Sequence, residues 1–169
     1  MKISVKNIAL LGVMIAILEV AKNVLAFLPN VELVTLLIIL YALHFGKLTF
    51  FIVPAFVLIE GCIYGFGLWW IMYLYTWPML AIIAMIFKKQ ESVWFWSILS
   101  GAFGLFYGAL SAIPYLFIGG FHTAFAWWIA GIPFDIIHCI SNFVICLVLF
   151  IPLRRVMKRI SIIMNTEAY

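Results

Sequence analysis

The sequence predicts an all-α integral membrane protein, a single bundle of six transmembrane helices with the N and C termini in the cytoplasm. Of its 169 residues, 68% are hydrophobic and only 9% are charged. A soluble domain carries charge on about 25% of its residues. Apolar runs recur along nearly the whole chain, with short polar joints between them. A bilayer accommodates such runs as helices, which satisfy their own backbone hydrogen bonds. One domain therefore covers residues 1–169.

The first three helices are predicted from three apolar runs and the joints that end them. Helix one covers 5–27 and ends at the joint LPNVE (28–32), where proline and asparagine break the run. Helix two covers 31–45 and ends at the joint HFGK (44–47). It is short for a crossing of about 20 residues, so we expect it to lie partly within protein or to tilt differently. Helix three covers 48–66 and ends among glycines.

The last three helices are longer apolar runs, again separated by polar or glycine-rich joints. Helix four covers 68–87 and ends at KKQES (88–92), a charged joint. Helix five covers 92–117 and ends before GGFHT (119–123). Helix six covers 124–151 and is followed by basic residues. Six crossings return the chain to the side from which it started.

The distribution of basic residues predicts the orientation. With six crossings, only Lys22 falls on the outer side, and the other nine of the ten lysines and arginines share one side. Such an excess marks the cytoplasmic side of a membrane protein, so the net charge of +4 indicates orientation and not nucleic-acid binding. The residues on that side are Lys2, Lys6, Lys47, Lys88, Lys89, Arg154, Arg155, Lys158 and Arg159.

The stretch FGLWWIMYLYTWP (66–78) concentrates aromatic residues at the outer start of helix four. Tryptophans at that level are typical of an interfacial belt. Trp77, however, lies eight residues after Trp69, roughly 12 Å deeper at the helical rise, where no belt reaches. Trp70, Tyr73 and Trp77 follow i, i+3, i+7 spacing and so share one helix face. This face either lines a ligand cavity or packs in the core.

Polar residues within the apolar helices are functional candidates, because burying them in hydrocarbon is costly. They lie in the predicted outer half, on several helices. Glu19 and Lys22 either neutralise each other or contact a ligand. A half-depth polar cluster with aromatic residues indicates a pocket open to the outside. The candidate ligand-binding residues are Glu32, Glu60, Trp70, Tyr73, Trp77, His122, Trp127, Asp135, His138 and Asn142.

Two helices carry small residues at helical spacing, which allow close helix packing. In helix five, Gly101, Gly104 and Gly108 are interpreted as internal packing against another helix. In helix one, the face of small residues serves either internal packing or the docking of a partner subunit. Its members are Ala9, Gly12 and Ala16.

No pattern predicts catalysis, a cofactor or a metal. The chain lacks a P-loop, a GxGxxG, a GxSxG and an HExxH, and its three histidines show no ligand spacing. We therefore expect no enzyme activity of its own, no cofactor and no bound metal.

The segments ALLGVMIAILEVAKNVLAFLPNVELVTLL, FGKLTFF and EGCIYGFGLWWIMYLYTWPMLAIIA resemble the substrate-binding S components of energy-coupling factor (ECF) vitamin transporters. The resemblance covers nearly the whole chain and rests on pattern. It implies a multi-pass protein of the prokaryotic cell membrane, embedded in lipid, that binds a vitamin from outside. Its implied partners are one transmembrane coupling subunit and two cytoplasmic ATPases.

The resemblance also implies roles for particular residues. The family docks through Ala-x-x-x-Ala in helix one, which Gly12 and Ala16 match with glycine for the first alanine. Its pockets use the outer loops and helices four to six, which correspond here to Trp70, Tyr73, Trp77, His122, Trp127, Asp135, His138 and Asn142. PNVELVTLL and YGFGLWW look most like cobalamin or corrinoid members, followed by pyridoxine- or hydroxymethylpyrimidine-type members.

Two other classes of protein remain as alternatives. A structural protein of the cell-wall elongation machinery, of the MreD type, has similar length and span count, but it would need no outer polar cluster. A small intramembrane enzyme would need catalytic spacing that is missing from this sequence.

Overall fold

The protein is helical throughout the part described by the computed structural model. The structure describes residues 5–165, except the side chains of Lys6 and of residues 163–165; Lys2 and both termini lie outside the described residues. The helices are α1 (Val5–Val24), α2 (Val34–Phe45), α3 (Thr49–Tyr64), α4 (Leu68–Ile86), α5 (Val93–Ser111) and α6 (Ile113–Asn165), with a 3-10 turn (Gly46–Leu48) between α2 and α3.

Five helical stretches among the described residues are long and apolar enough to cross a membrane. Two of them exceed a single crossing, because one combines α2, the 3-10 turn and α3, and the other is most of α6. They are Asn7–Val24, Val34–Tyr64, Leu68–Ile86, Val93–Ser111 and Ile113–Ile162. The predicted all-α membrane-type architecture is confirmed at this level.

The predicted boundaries differ from the observed ones most in the last two helices. Helix five ends at Ser111, and α6 begins at Ile113. Pro114 is tolerated there because the backbone N–H groups of the first helical turn have no acceptor within the helix, so the N–H that proline lacks is not missed. Within the predicted joint 119–123, only Gly120 leaves helical geometry, with φ 72° and ψ −172°. α6 then continues through Pro152 well past residue 151.

α2 is the central element of the bundle. Ten of its twelve residues are buried, which explains a short helix without a polar face. It contacts α4 and α6 and also touches α1 and α3. At its end, Gly46 adopts φ 53°, a conformation that glycine reaches without steric cost, and the chain reverses into α3. The buried hydroxyl of Tyr41 donates a hydrogen bond to the Met14 carbonyl oxygen and ties α2 to α1.

α5 and α6 form the closest helix pair, and the predicted packing role of the helix-five glycines is confirmed. A Cβ added to Gly101 would lie 3.1 Å from the Cys139 carbonyl oxygen, and one added to Gly104 would lie 2.7 Å from the His138 carbonyl oxygen. These contacts are with backbone, which cannot rotate away. The glycines therefore set the distance between the two helices.

Replacing Gly104 with alanine should destabilise the protein. The added methyl group must push α6 away from α5, and such overpacking costs about 1–3 kcal/mol. The measurement is the thermal midpoint of unfolding in detergent. Gly131→Ala is the matched control, because nothing lies within 4 Å of a Cβ at that position. Equal midpoints for the two variants would contradict the packing role.

Candidate ligand cavity

A cavity of about 350 Å³ lies at the end of the bundle where α1 and α3 end and α2 begins. The loop between α1 and α2 forms much of its wall. The lining residues are Lys22, Asn23, Leu25, Ala26, Leu28, Pro29, Asn30, Val31, Glu32, Val34, Tyr64, Tyr73, Trp77, Tyr107 and His138. Because Val34 begins α2 and Tyr64 ends α3, α2 starts at the cavity and α3 ends there, and the two helices run in opposite directions.

Glu32 is the centre of a hydrogen-bond network that joins the loop to α2 and α6. Its Oε2 accepts a hydrogen bond from the Thr35 backbone N–H at 2.8 Å, and its Oε1 accepts one from the Thr35 hydroxyl at 2.5 Å. His138 Nε2 lies 3.3 Å from the same Oε1. The Asn142 amide donates to the Thr35 hydroxyl oxygen at 3.2 Å. The carboxylate is thus held in place from two helices.

The loop is fixed to α6 at a second point. The Ser141 hydroxyl donates a hydrogen bond of 2.7 Å to the Asn30 carbonyl oxygen. Asn30 has φ 59°, a left-handed conformation that asparagine tolerates better than most residues. These contacts hold the loop against α6, so that the loop forms a fixed wall of the cavity.

The carboxyl group of Glu32 is expected to stabilise the protein in a pH-dependent way. Burial works to raise its pKa, but the hydrogen bonds from His138 and Thr35 outweigh burial and hold the pKa below its usual value. A carboxyl group whose pKa is lower in the folded than in the unfolded state stabilises the protein at pH values above its unfolded-state pKa, which is about 4.3 for glutamate. That stabilisation is lost as pH falls through the folded pKa.

We therefore expect the thermal midpoint of the native protein to fall more steeply below pH about 4.3 than that of Glu32→Gln. The glutamine has no carboxyl group to protonate. The measurement is a series of melts in detergent at decreasing pH. Parallel curves for the two proteins would show that Glu32 does not contribute this dependence.

Lys22 lies on the cavity wall, where a carboxylate and three aromatic rings surround its ammonium group. Its ammonium group forms an ion pair with Glu60, whose side chain is 0% exposed. The same Nζ lies 4.8, 5.6 and 5.3 Å from the ring centroids of Tyr64, Trp69 and Tyr73. Rings at these distances attract a cation through their negative faces. The ion pair with Glu60 thus joins α1 to α3. Both predicted alternatives for Lys22 stay open, because Glu19 attracts it electrostatically and Lys22 also lines the cavity.

A wall of aromatic rings closes the cavity toward the core. Tyr73 and Trp77 meet edge to face at 5.4 Å, and Trp77 and Tyr107 lie 5.9 Å apart. Tyr107 in turn meets the His138 ring edge to face at 5.2 Å. Trp77 is only 4% exposed, and its indole Nε1 has no hydrogen-bond partner among the described residues. The indole nitrogen itself is buried, so the part of Trp77 that lines the cavity is other than this donor.

The structure brings together some of the predicted site residues and separates others. Four line the cavity, namely Glu32, Tyr73, Trp77 and His138. Two more lie one contact behind the wall: Glu60 pairs with Lys22, and Asn142 bonds to Thr35.

The other four predicted residues are absent from the cavity lining. The Trp70 indole N–H donates to the Val57 carbonyl oxygen at 2.8 Å, and Asp135 Oδ1 accepts from the Gly108 N–H at 2.9 Å. Both side chains connect one helix to the next. His122 is exposed, and Trp127 stacks on Tyr115 at 4.2 Å near the start of α6. Sharing a helix face with cavity-lining residues therefore does not by itself bring a side chain into the cavity.

Several lining residues were missing from the predicted set. The sequence singles out Lys22 as either an ion-pair partner of Glu19 or a ligand contact, and Asn30 as a loop residue, but nothing in the spacing joins them to helix four. Tyr64 and Tyr107 gave no signal, since single tyrosines in apolar helices are common. The Tyr64 hydroxyl donates to Asn23 Oδ1 at 2.5 Å, a contact that only the packing of α3 on α1 creates.

The predicted docking residues of helix one are exposed. Ala9, Gly12 and Ala16 all lie on the surface of α1, and nothing lies within 4 Å of a Cβ built on Gly12. Ala16 also lines an apolar groove together with Leu37 of α2 and Leu153 of α6.

No protein-family model, curated protein or solved structure matches this chain.

Proposed function

We propose that this protein is the substrate-binding membrane subunit of an ECF-type importer, which takes a vitamin-sized molecule from outside and delivers it inward with a separate ATPase module. The observation that carries the proposal is the cavity, in which a fixed carboxylate, a lysine and a wall of aromatic rings meet inside an apolar helical bundle. Small-molecule sites combine apolar walls with a few placed polar groups in this way.

The proposed topology has six membrane crossings with both termini in the cytoplasm. α2 and α3 count as two crossings because both have one end at the cavity and reverse at Gly46. At the opposite end of the bundle, Arg154, Arg155 and Lys158 line a second concavity together with His44. A basic end is typical of the cytoplasmic side, which supports an outward-facing ligand cavity.

The cavity size favours small substrates within the vitamin class. Its volume of about 350 Å³ is near the lower end of the roughly 300–1,000 Å³ typical of small-molecule sites. A molecule of one or two rings, such as a pyridoxine- or hydroxymethylpyrimidine-type compound, suits this volume. Cobalamin and other corrinoids, which the sequence pattern ranked first, are macrocycles with large side chains and would require the loop over 25–33 to open.

The proposed partners are a transmembrane coupling subunit and two cytoplasmic ATPases. The exposed small residues Ala9, Gly12 and Ala16 on α1 supply a surface on which another helix can approach closely. A structural protein of the cell-wall machinery would also need a partner surface, but it would not need a carboxylate held in place and an ion-paired lysine around a cavity. These two features favour the transport proposal.

The test is calorimetric binding to the purified protein in detergent, with pyridoxine, hydroxymethylpyrimidine and cobalamin as probes. The proposal expects saturable one-to-one binding of at least one probe. Uptake by cells that carry the protein should then require a coupling subunit and ATPases supplied with it. Absence of binding across the whole panel would reject the proposal and leave the structural alternative ahead.

A further inference from the structure

We infer that the concavity at the basic end of the bundle is a binding site for one anionic phospholipid, whose phosphate binds Arg154 and Lys158 and whose acyl chains cover the apolar residues beside them. This concavity is separate from the ligand cavity, so the inference goes beyond the proposed function and does not depend on it. Its volume is about 560 Å³. The lining residues are His44, Glu91, Val93, Phe150, Ile151, Arg154, Arg155 and Lys158.

The first step concerns the position of the concavity. His44 lies in the last turn of α2 and Val93 begins α5, so the concavity lies where one helix ends and another starts. Within about two turns of α6, the lining changes from apolar to basic, in the order Phe150, Ile151, Arg154, Arg155 and Lys158. A phospholipid makes the same change from acyl chain to charged headgroup. The apolar and charged parts of the two therefore match in order.

The second step concerns charge. Three lining side chains are cationic at neutral pH, and Glu91 supplies the only carboxylate of the lining. Glu91 is 84% exposed and lies 3.6 Å from Arg154, so this pair is weak and a ligand phosphate can replace it. No carboxylate of the described residues forms an ion pair with Arg155 or Lys158. The lining thus has a net positive charge that an anionic ligand would neutralise.

The third step concerns the geometry of the cations. Arg154 and Lys158 are four residues apart, so they share one face of α6. The Arg154 guanidinium lies 5.7 Å from the centre of the Phe150 ring, a contact that holds the cation against the apolar part of the wall. A guanidinium binds phosphate oxygens through paired N–H donors, and an ammonium group adds a mobile point charge. Together the two side chains can hold a phosphate at a defined depth.

The fourth step distinguishes a lipid from a soluble anion. A concavity built only from cations would accept any phosphate, but this one also presents Val93, Phe150 and Ile151. Ile151 is 46% exposed, and it belongs to a helical stretch that is long and apolar enough to cross a membrane. Basic pockets between transmembrane helices bind anionic lipid headgroups in this way. The combination of cations with exposed apolar residues favours a membrane phospholipid.

The experiment is a phospholipid titration of the purified protein in detergent, followed by native mass spectrometry. The probes are dioleoyl phosphatidylglycerol and dioleoyl phosphatidylcholine, which have the same acyl chains and differ in net charge. The test variants are Lys158→Gln alone and Lys158→Gln combined with Arg154→Gln. The matched control combines Lys88→Gln with Lys89→Gln. It also removes two cations, from exposed residues of the joint before α5 that do not line the concavity.

We expect the native protein to bind one phosphatidylglycerol more tightly than phosphatidylcholine. Each cation removed from the site should weaken phosphatidylglycerol binding about 5-fold, which gives about 25-fold for the double test variant. The Lys88 and Lys89 control should bind as the native protein does. Excess glycerol 3-phosphate, a soluble anion without acyl chains, should not displace the lipid. Because Lys158 is exposed, Lys158→Gln still tests the site should the double variant not fold.

Four outcomes would overturn the inference. Equal losses in the double test variant and in the control would show a diffuse positive surface and no site. Equal binding of the two phospholipids by the native protein would remove headgroup charge from recognition. Displacement by glycerol 3-phosphate would identify a soluble anion as the ligand. Unchanged phosphatidylglycerol binding in both test variants would locate the lipid elsewhere. Vitamin binding is titrated separately, so none of these outcomes rejects the proposed function.

Discussion

Lys22→Met is expected to be the most destabilising single substitution in this protein. It removes the cation that pairs with Glu60, and that glutamate has no exposed side-chain surface. Breaking a buried ion pair by removing one partner costs about 3–5 kcal/mol, because the remaining charge is uncompensated. The thermal midpoint in detergent should fall by roughly 6–20 °C.

Two further variants make this prediction specific. Lys22→Met combined with Glu60→Leu should recover much of the lost stability, because the apolar pair leaves no buried charge. Lys47→Met, at an exposed lysine in the turn after α2, should leave the midpoint nearly unchanged. If the double variant is as unstable as the single one, the loss comes from the packing of the lysine stem and not from the charge on Glu60.

Glu32→Ala is expected to have the largest effect on ligand binding. The substitution removes the only carboxylate that lines the cavity among the described residues, and it releases Thr35 and His138 from their shared partner. A hydrogen bond to a charged group contributes about 1.5–3 kcal/mol, so the affinity for the tightest-binding probe should fall about 10- to 150-fold. Calorimetry against the vitamin panel measures this directly.

Glu91→Ala is the matched control for Glu32→Ala. Glu91 is 84% exposed and lines the concavity at the opposite end of the bundle with Arg154. Its loss should leave binding unchanged. A melt of each variant separates a lost ligand contact from a lost fold. Unchanged affinity in a folded Glu32→Ala protein would mean that the ligand does not contact this carboxylate.

The sequence predicts most of the helices because apolar runs and their joints are local features. The loop at 28–32, the reversal near Gly46 and the break after Tyr64 all coincide with glycine, proline or charge. The end of helix five is not predictable in this way. Pro114 is the one strong breaker near Ala112, and it lies within an apolar run that continues to residue 117. The Gly119-Gly120 pair, which is expected to end the helix, lies inside α6, which bends there.

The site is predictable only where its residues share a helix face. Tyr73 and Trp77 follow helical spacing and do line the cavity. Lys22, by contrast, depends on how α1 packs on α3, and such a contact between distant helices leaves no local pattern. Asp135 shares a face with His138, yet its carboxylate binds the Gly108 N–H. The close approach of α5 created by the glycines diverts it from the cavity.

Native mass spectrometry of the purified protein tests the cavity most directly, with Ala26→Trp and Ala126→Trp as a matched pair. Ala26 lines the cavity, so the larger side chain should fill it, whereas Ala126 lies exposed on α6. We predict a vitamin-sized adduct on the native protein and on Ala126→Trp, and none on Ala26→Trp. An adduct retained by Ala26→Trp, or a bare native protein that binds nothing in the vitamin panel, would contradict the assignment of this cavity as a substrate site.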